Sequence, residues 1–393
     1  MEPARRLQSA ENVSSPPTVQ LIERQDDLAE LAVQLAGQPR IAVDSESDSF
    51  HHYQEKVCLI QLSIPGRTFV LDPLRLASLD PLLPVFADPA VEKVLHGADY
   101  DIRTLGRDYG VKFENLFDTM IAAQLLGQEA IGLAALLKGH FGVELDKKFQ
   151  KADWSRRPLP PEMLRYAADD TGHLIALRGQ LDEALERAGR RAWHREECGR
   201  LVLQKAGPRQ PPSCFSIKGA GRLEPRQLAV LQALLEMREE IARANDRPPF
   251  KVISNETLMA LAVRQPATLA ELASIIGMTP KVVERLGASV IDAIRRGQTA
   301  EPGQLPRRQL LPYTPLKPAQ DAQLKRLKEA RQRIADQLKL QPGILCSGAV
   351  LEELVRMPQP AVEQAAARLA TWRWAVLGEA FTRILAPETA TAG

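Results

Sequence analysis

The 393-residue chain is long enough for about two to four domains, and its 51 Lys+Arg against 49 Asp+Glu leave a net charge of only +2. That balance gives no global pull toward nucleic acid, so any such contact has to come from local basic patches. No apolar run approaches the roughly 18 residues of a membrane span, no Gly-x-x-x-x-Gly-Lys-[Ser/Thr] loop points to ATP, and the scattered Cys58, Cys198, Cys214 and Cys346 argue against a zinc site and for a reduced cytoplasm.

Residues 1–18 are polar and proline-containing, without the apolar core of a signal peptide, and read as a disordered tail. From Val19 strand and helix signals alternate. Residues 40–44, 57–64 and 68–71 read as three strands in quick succession, hence antiparallel neighbours. Residues 93–96 and 116–118 read as two more, each followed by helical periodicity, and helices are predicted over 120–126, 131–140 and 161–188. The sum is a mixed central sheet with flanking helices over residues 19–203.

Gly207-Pro208-Arg209-Gln210-Pro211-Pro212 breaks the pattern and marks a linker over 204–222. Helical segments follow at 223–300 and 319–387, separated by a Pro-rich linker at 301–318 and ended by a short tail, 388–393. The two segments repeat each other. Arg238-x-x-Ile241-Ala242 recurs as Arg331-x-x-Ile334-Ala335, Pro249 as Pro342, Ser254 as Ser347, Leu258 as Leu351 and Leu286-Gly287 as Leu377-Gly378. Spaced leucines and alanines make each a small helical bundle.

The chemistry concentrates in three short blocks: Asp44-Ser45-Glu46, His96-Gly97-Ala98-Asp99-Tyr100-Asp101, and Tyr166-Ala167-Ala168-Asp169-Asp170. On a strand, Asp44 and Glu46 share a face, and on a helix Tyr166 and Asp170 share one. Carboxylates gathered without Lys or Arg repel one another, and hard divalent cations relieve that repulsion, magnesium or manganese best. In the second block Asp99 and Asp101 compete for the metal role, and Asp99 also suits a helix N-cap. Asp48 reads as a surface residue, and Asp169 as facing solvent or a basic neighbour.

These blocks, in this order and spacing, resemble the DEDD exonuclease superfamily, and Tyr166-x-x-x-Asp170 resembles its DEDDy branch. Asp44-Ser45-Glu46-Ser47, Cys58-Leu59-Ile60-Gln61-Leu62-Ser63, Phe117-Asp118-Thr119 and Asp153-Trp154-Ser155-Arg156-Arg157-Pro158-Leu159 are similar to the ribonuclease D group within it, over residues 20–200. The two C-terminal segments resemble the HRDC domain, the second more distantly, since it lacks a counterpart of Asp246-Arg247-Pro248. The resemblance implies a ribonuclease H-like fold and two divalent ions held by Asp44, Glu46, Asp101 and Asp170. One ion, bridged by Asp44 and Asp170, activates water, the other steadies the leaving 3′ oxygen, and Tyr166 orients the water. It implies 3′→5′ release of 5′-monophosphates from RNA ends, tRNA precursors foremost; neither ATP nor a membrane is expected as a partner, and the oligomeric state stays open, with a monomer favoured.

Candidate RNA contacts are Trp154 by stacking, Arg156 and Arg157 by phosphate, and a basic helix carrying Lys325, Arg326, Lys328, Arg331 and Arg333. Each has a plainer reading, as core tryptophan or solvated helix face. Two other functions remain open at this stage: a DNA 3′→5′ exonuclease with the same metal chemistry, and a non-catalytic nucleic-acid scaffold. The intact set of acids and tyrosine argues against the second.

Overall fold

The computed structural model describes residues 18–205, 207, 210–301, 315–358 and 361–386. Most of the Pro-rich linker and the predicted tails lie outside them, except Thr18, which opens the first strand. The strands are β1 (Thr18–Ile22), β2 (Arg40–Ser47), β3 (Val57–Ile64), β4 (Arg67–Leu71), β5 (Glu92–Leu95) and β6 (Leu116–Asp118). They form one sheet in the order β1-β4-β3-β2-β5-β6. The pairs β2–β3 and β3–β4 are antiparallel, as the short spacers require, while β2–β5, β5–β6 and β1–β4 are parallel. The edge strand β1 was not legible as a strand, because only Val19, Leu21 and Ile22 are apolar in it.

Helices cover both faces: α1 (Gln25–Ala36), α2 (Leu83–Ala87), α3 (Asp99–Tyr109), α4 (Thr119–Leu125), α5 (Leu133–Phe141), α6 (Pro161–Gly172), α7 (Leu174–Arg187) and α8 (Arg191–Leu201). On one face Ile41, Val43, Ile60, Leu62 and Phe69 pack against α1 and α3 residues such as Leu28, Leu35, Ile102 and Leu105. On the other, Leu59 and Val70 meet Met163, Ala167 and Ala168 of α6. The helix predicted over 161–188 is broken at His173, where the backbone leaves the helical path (φ −108°, ψ −5°). The run Asp169-Asp170-Thr171-Gly172 is poor in helix formers. The break lets α6 lie over β3 and β4 while α7 covers β2 and β5.

Beyond residue 210 two helical units follow with the same plan. The first holds α9 (Pro225–Ala244), α10 (Pro249–Val252), α11 (Asn255–Arg264), α12 (Leu269–Leu272) and α13 (Pro280–Thr299). The second holds α14 (Pro318–Leu338), α15 (Pro342–Leu345), α16 (Gly348–Arg356), α17 (Val362–Arg368) and α18 (Thr371–Leu385). The sequence repeat has a physical basis. Arg238 Nη1 donates to Ile253 O at 3.1 Å, and its counterpart Arg331 donates to Cys346 O at 2.8 Å. Ser254 caps α11 through Thr257 N, and Ser347 caps α16 through Val350 N. The end of the predicted linker belongs to the first unit, where Cys214, Ile217 and Ala220 are buried.

The first unit meets the loop after β2: Asp246 accepts from Tyr53 N at 3.0 Å and pairs with His52 Nδ1 at 2.6 Å. The second is built into the nuclease core. Leu174, Leu177, Leu181 and Leu185 of α7 share one apolar cluster with Leu327, Leu351, Leu377 and Phe381. Trp193 stacks on Trp372 with centroids 4.6 Å apart, and Arg190 donates to both Leu125 O (2.6 Å) and Leu338 O (2.7 Å).

Candidate active site

The period of two along β2 sets up the site. Ile41, Val43 and Ser45 face α1 and α3, whereas Ala42, Asp44 and Glu46 face α6 and α7. Asp170, near the end of α6, completes a cluster: one carboxylate oxygen from each of Asp44, Glu46 and Asp170 lies within 4.8 Å of the others. Three buried hydroxyls seat α6 at this height. Ser63 Oγ on β3 lies 2.7 Å from Thr171 Oγ1, next to Asp170, and 2.7 Å from Thr68 Oγ1. Sequence reasoning missed these hydroxyls, which look like ordinary strand and helix residues.

Asp101 arrives from the opposite face. It is 6% exposed, on the first turn of α3, and its Oδ1 accepts from Ser45 Oγ at 2.5 Å. It stands beside the three-carboxylate group rather than inside it. The expected N-cap role of Asp99 is corrected: Ala98 occupies that position, and Asp99 pairs with Arg103 on the helix surface at 2.5 Å. Buried Asp118 instead organises the helix entrance. Its carboxylate accepts from Gly97 N (3.1 Å), Ala98 N (2.7 Å), Met120 N (2.8 Å) and Ile121 N (3.1 Å), fixing the starts of α3 and α4 together.

The electrostatics are those of carboxylates short of counter-charge. Burial, then Asp170 and Asp101, push Glu46 up to about 9. Asp44 is raised well above its ordinary value by burial and by Asp101, Asp170 and Glu46 in turn. Burial and Asp169 lift Asp170 to about 7, and burial lifts Asp101 to about 6 against the opposing Ser45 hydrogen bond. Gln61, opposite Asp44 in register, is fully buried with neither amide atom hydrogen-bonded. Unneutralised oxygen ligands beside a buried, unsatisfied amide fit divalent cations.

Tyr166 stands one helical turn before Asp170. Its ring is walled by Phe149, edge-on at 5.7 Å, and by Trp154 at 6.0 Å. Burial, Asp170, Glu46 and Asp44 all drive its phenol upward, so the hydroxyl keeps its proton when no cation is bound.

Several expected RNA contacts have other duties. Trp154 is 1% exposed and has no face to offer a base; it supports Tyr166. Arg157 is drawn inward to Asp72, with further bonds to Cys58 O (3.0 Å) and Trp154 O (2.7 Å), so it braces the segment rather than meeting phosphate. Arg156 stays exposed beside Asp153. On α14, Lys325, Arg326, Lys328 and Arg333 are exposed, while Arg331 is committed to Cys346 O. Asp48 is not a surface residue but fully buried, its Oδ1 accepting from Lys56 N at 2.8 Å to close the loop after β2. Asp169 is exposed, with His173 and Arg165 nearby.

Residues 19–186 match the 3′-5′ exonuclease domain family, and residues 227–294 match the HRDC domain. Fold and acidic site together thus define a metal-dependent 3′-5′ exonuclease. The chain is 33% identical over 349 residues to ribonuclease D of Pseudomonas paraeruginosa, covering 88% of this chain and 91% of that one. It superposes on the crystal structure of Escherichia coli RNase D, described as an exoribonuclease involved in structured RNA processing, with a TM-score of 0.69 at 26% identity, covering 94% and 98% of the two chains. The catalytic core of RRP6 from Trypanosoma brucei matches with a TM-score of 0.64 at 29% identity, over 73% of this chain and 81% of that one. The chain belongs to the ribonuclease D family and is a 3′-5′ exoribonuclease.

Proposed function

We propose that Asp44, Glu46 and Asp170, with Asp101 behind them, hold two divalent ions, magnesium or manganese, and that the enzyme trims the 3′ ends of structured RNA, tRNA precursors foremost, one 5′-monophosphate at a time. The observation that carries this reading is the convergence of Asp44, Glu46 and Asp170 within 4.8 Å, one turn from Tyr166. Bound there, the ions would acidify a water and neutralise the charge gathering on the phosphate. Asp44 and Asp170, from a strand and a helix, bridge the site and fix its width. Glu46, two residues on from Asp44 along β2, would add a third carboxylate to the same ions. Asp101, held by Ser45, acts at longer range. Tyr166 is rigid between two rings, and its hydroxyl orients the attacking water rather than removing its proton.

The second helical unit is read as a divergent HRDC domain, since it shares the helix order, the arginine bonded to a backbone carbonyl and the serine cap of the first. The exposed cations of α14, Lys325, Arg326 and Arg333, with Arg156 near the site, are suited to phosphate. No helix among the described residues is long and apolar enough to cross a membrane. Four buried free cysteines suit an enzyme of the reducing cytoplasm.

The test is a matched pair of substrates, a tRNA precursor with a 3′ extension and a DNA strand of the same extension sequence, each labelled at the 5′ end. The reading expects stepwise shortening of the RNA toward the mature end and little loss of the DNA. Equal trimming of both would make the enzyme a general 3′ exonuclease.

A further inference from the structure

The junction between the nuclease unit and the first helical unit presents two aromatic rings to solvent. Phe50, in the loop after β2, is 41% exposed, and Phe250, on α10, is 53% exposed. The rings meet edge to face with centroids 6.3 Å apart. Neither belongs to an apolar cluster, and core packing does not explain either. Lys151 Nζ stands 6.0 Å from the Phe50 centroid, and Lys251 Nζ lies 3.5 Å from His51 Nδ1. The nearby acids are already engaged: Asp246 with His52 and Tyr53 N, Asp153 with Ser155 and Arg156. Neither Lys151 nor Lys251 forms an ion pair with these acids.

Both sides of the patch lead into the metal site. Phe50 is four residues past Glu46, so their Cα atoms lie at most about 14 Å apart. Lys151 is three residues before Trp154, whose ring supports Tyr166. Lys147 and Lys148, ahead of Lys151, and Arg156, past Trp154, are exposed along the same segment. Exposed aromatic faces flanked by cations are the chemistry of single-strand binding, in which rings stack on bases and cations follow the phosphates.

We propose that Phe50 and Phe250 form a stacking platform for an unpaired base of the RNA a few nucleotides upstream of the cleaved bond, with Lys151 and Lys251 on its backbone. The proposal rests on the cluster of Asp44, Glu46 and Asp170 being the cleavage site. The platform spans two domains. It therefore favours RNA whose 3′ end is single-stranded for long enough to reach from the acids to α10, and it reads stacking rather than base identity.

The experiment uses the full-length enzyme and oligoribonucleotides from a dinucleotide to an octanucleotide, with 2-aminopurine placed at successive positions. Binding is read by fluorescence in calcium and cleavage in magnesium. Wild type should gain affinity at a definite length, and 2-aminopurine should be quenched at one upstream position. Phe50→Ala with Phe250→Ala should weaken binding of oligomers above that length roughly 5- to 100-fold and abolish the quench, with dinucleotide cleavage unchanged. Phe250→Trp should restore both, whereas Phe250→Leu, which keeps an apolar contact, should not. Retention of affinity and quench in the double alanine variant, or full rescue by leucine, overturns the platform and leaves the metal site untouched. Failure of wild type to cleave any oligomer would sink the assignment of the cleavage site, while the fluorescence arm still reads the platform.

Discussion

Ser45 Oγ donates to Asp101 Oδ1 at 2.5 Å, and this bond joins the strand carrying Asp44 and Glu46 to the first turn of α3. Ser45 points away from the cluster, so the bond couples the two faces of the sheet at the site. Ser45→Ala removes the bond without touching the three converging carboxylates. Metal affinity should fall by roughly 10- to 100-fold, as for other residues that orient a ligand, and high manganese should recover much of the activity. A manganese titration of turnover checks this; unchanged metal dependence would contradict it.

The pH dependence of stability follows from the raised carboxyls. Glu46 lies at about 9 and Asp170 at about 7 in the fold, both above their ordinary values of 4.5 and 3.8. A group raised by folding contributes its stability fully below the unfolded value and loses it as pH climbs through the folded one. The metal-free enzyme should therefore lose stability between about pH 4 and pH 9 relative to Glu46→Gln, which carries no charge at that position. The variant should melt higher than wild type by on the order of 2–5 °C at pH 8, with the gap closing toward pH 5. Saturating magnesium should raise wild type most at the alkaline end. Thermal melts across pH with chelator or magnesium measure both; a gap that widens on acidification would refute the electrostatic reading.

Tyr166→Phe keeps a ring between Phe149 and Trp154 and deletes one hydroxyl. Turnover should drop by roughly 10²–10⁴-fold, the usual worth of a positioned proton-handling group, while RNA affinity and melting temperature hold. Loss of binding with normal turnover would make the tyrosine a substrate contact instead.

The second helical unit shares its core with α7 and α8 and should act as a structural member of the nuclease. Trp372→Ala removes the stack on Trp193 and the bond from Trp372 Nε1 to Glu197 Oε1 at 2.6 Å. It should cost about 3–5 kcal/mol, read by urea unfolding, and increase hydrogen exchange in α8. Two independent unfolding transitions in wild type, with α8 unaffected by the substitution, would show the units to be separate.

The sequence carried the acids and the tyrosine because their chemistry fixes residue type as well as spacing. The two backbone periods put Asp44 with Glu46 and Tyr166 with Asp170 on shared faces, while the family resemblance chose Asp170 over Asp169 and Asp101 over Asp99. Repetition carried the bundles, and the arginine at 238 and 331 proves to make the same bond to a backbone carbonyl twice. Residues whose meaning lies in a distant partner were not legible. Asp48 looks like a surface acid until the backbone N–H it serves, that of Lys56, is brought to it. Arg157 resembles a phosphate ligand until Asp72, 85 residues away in sequence, is found beside it. Trp154 offers the ring expected of a base-stacking residue, but burial assigns it to Tyr166, and the exposed rings are Phe50 and Phe250.

The most direct test of the account is the fate of a 5′-labelled single-stranded RNA with wild type and Asp44→Asn, in magnesium, in manganese and in chelator, with the released nucleotides identified by mass. Wild type with either ion should shorten the RNA from the 3′ end and release 5′-monophosphates. Chelator should abolish the reaction, and Asp44→Asn should do the same with its fold intact by circular dichroism. Near-normal hydrolysis in chelator or by Asp44→Asn, or release of 3′-phosphates, would contradict the metal site built on Asp44, Glu46 and Asp170.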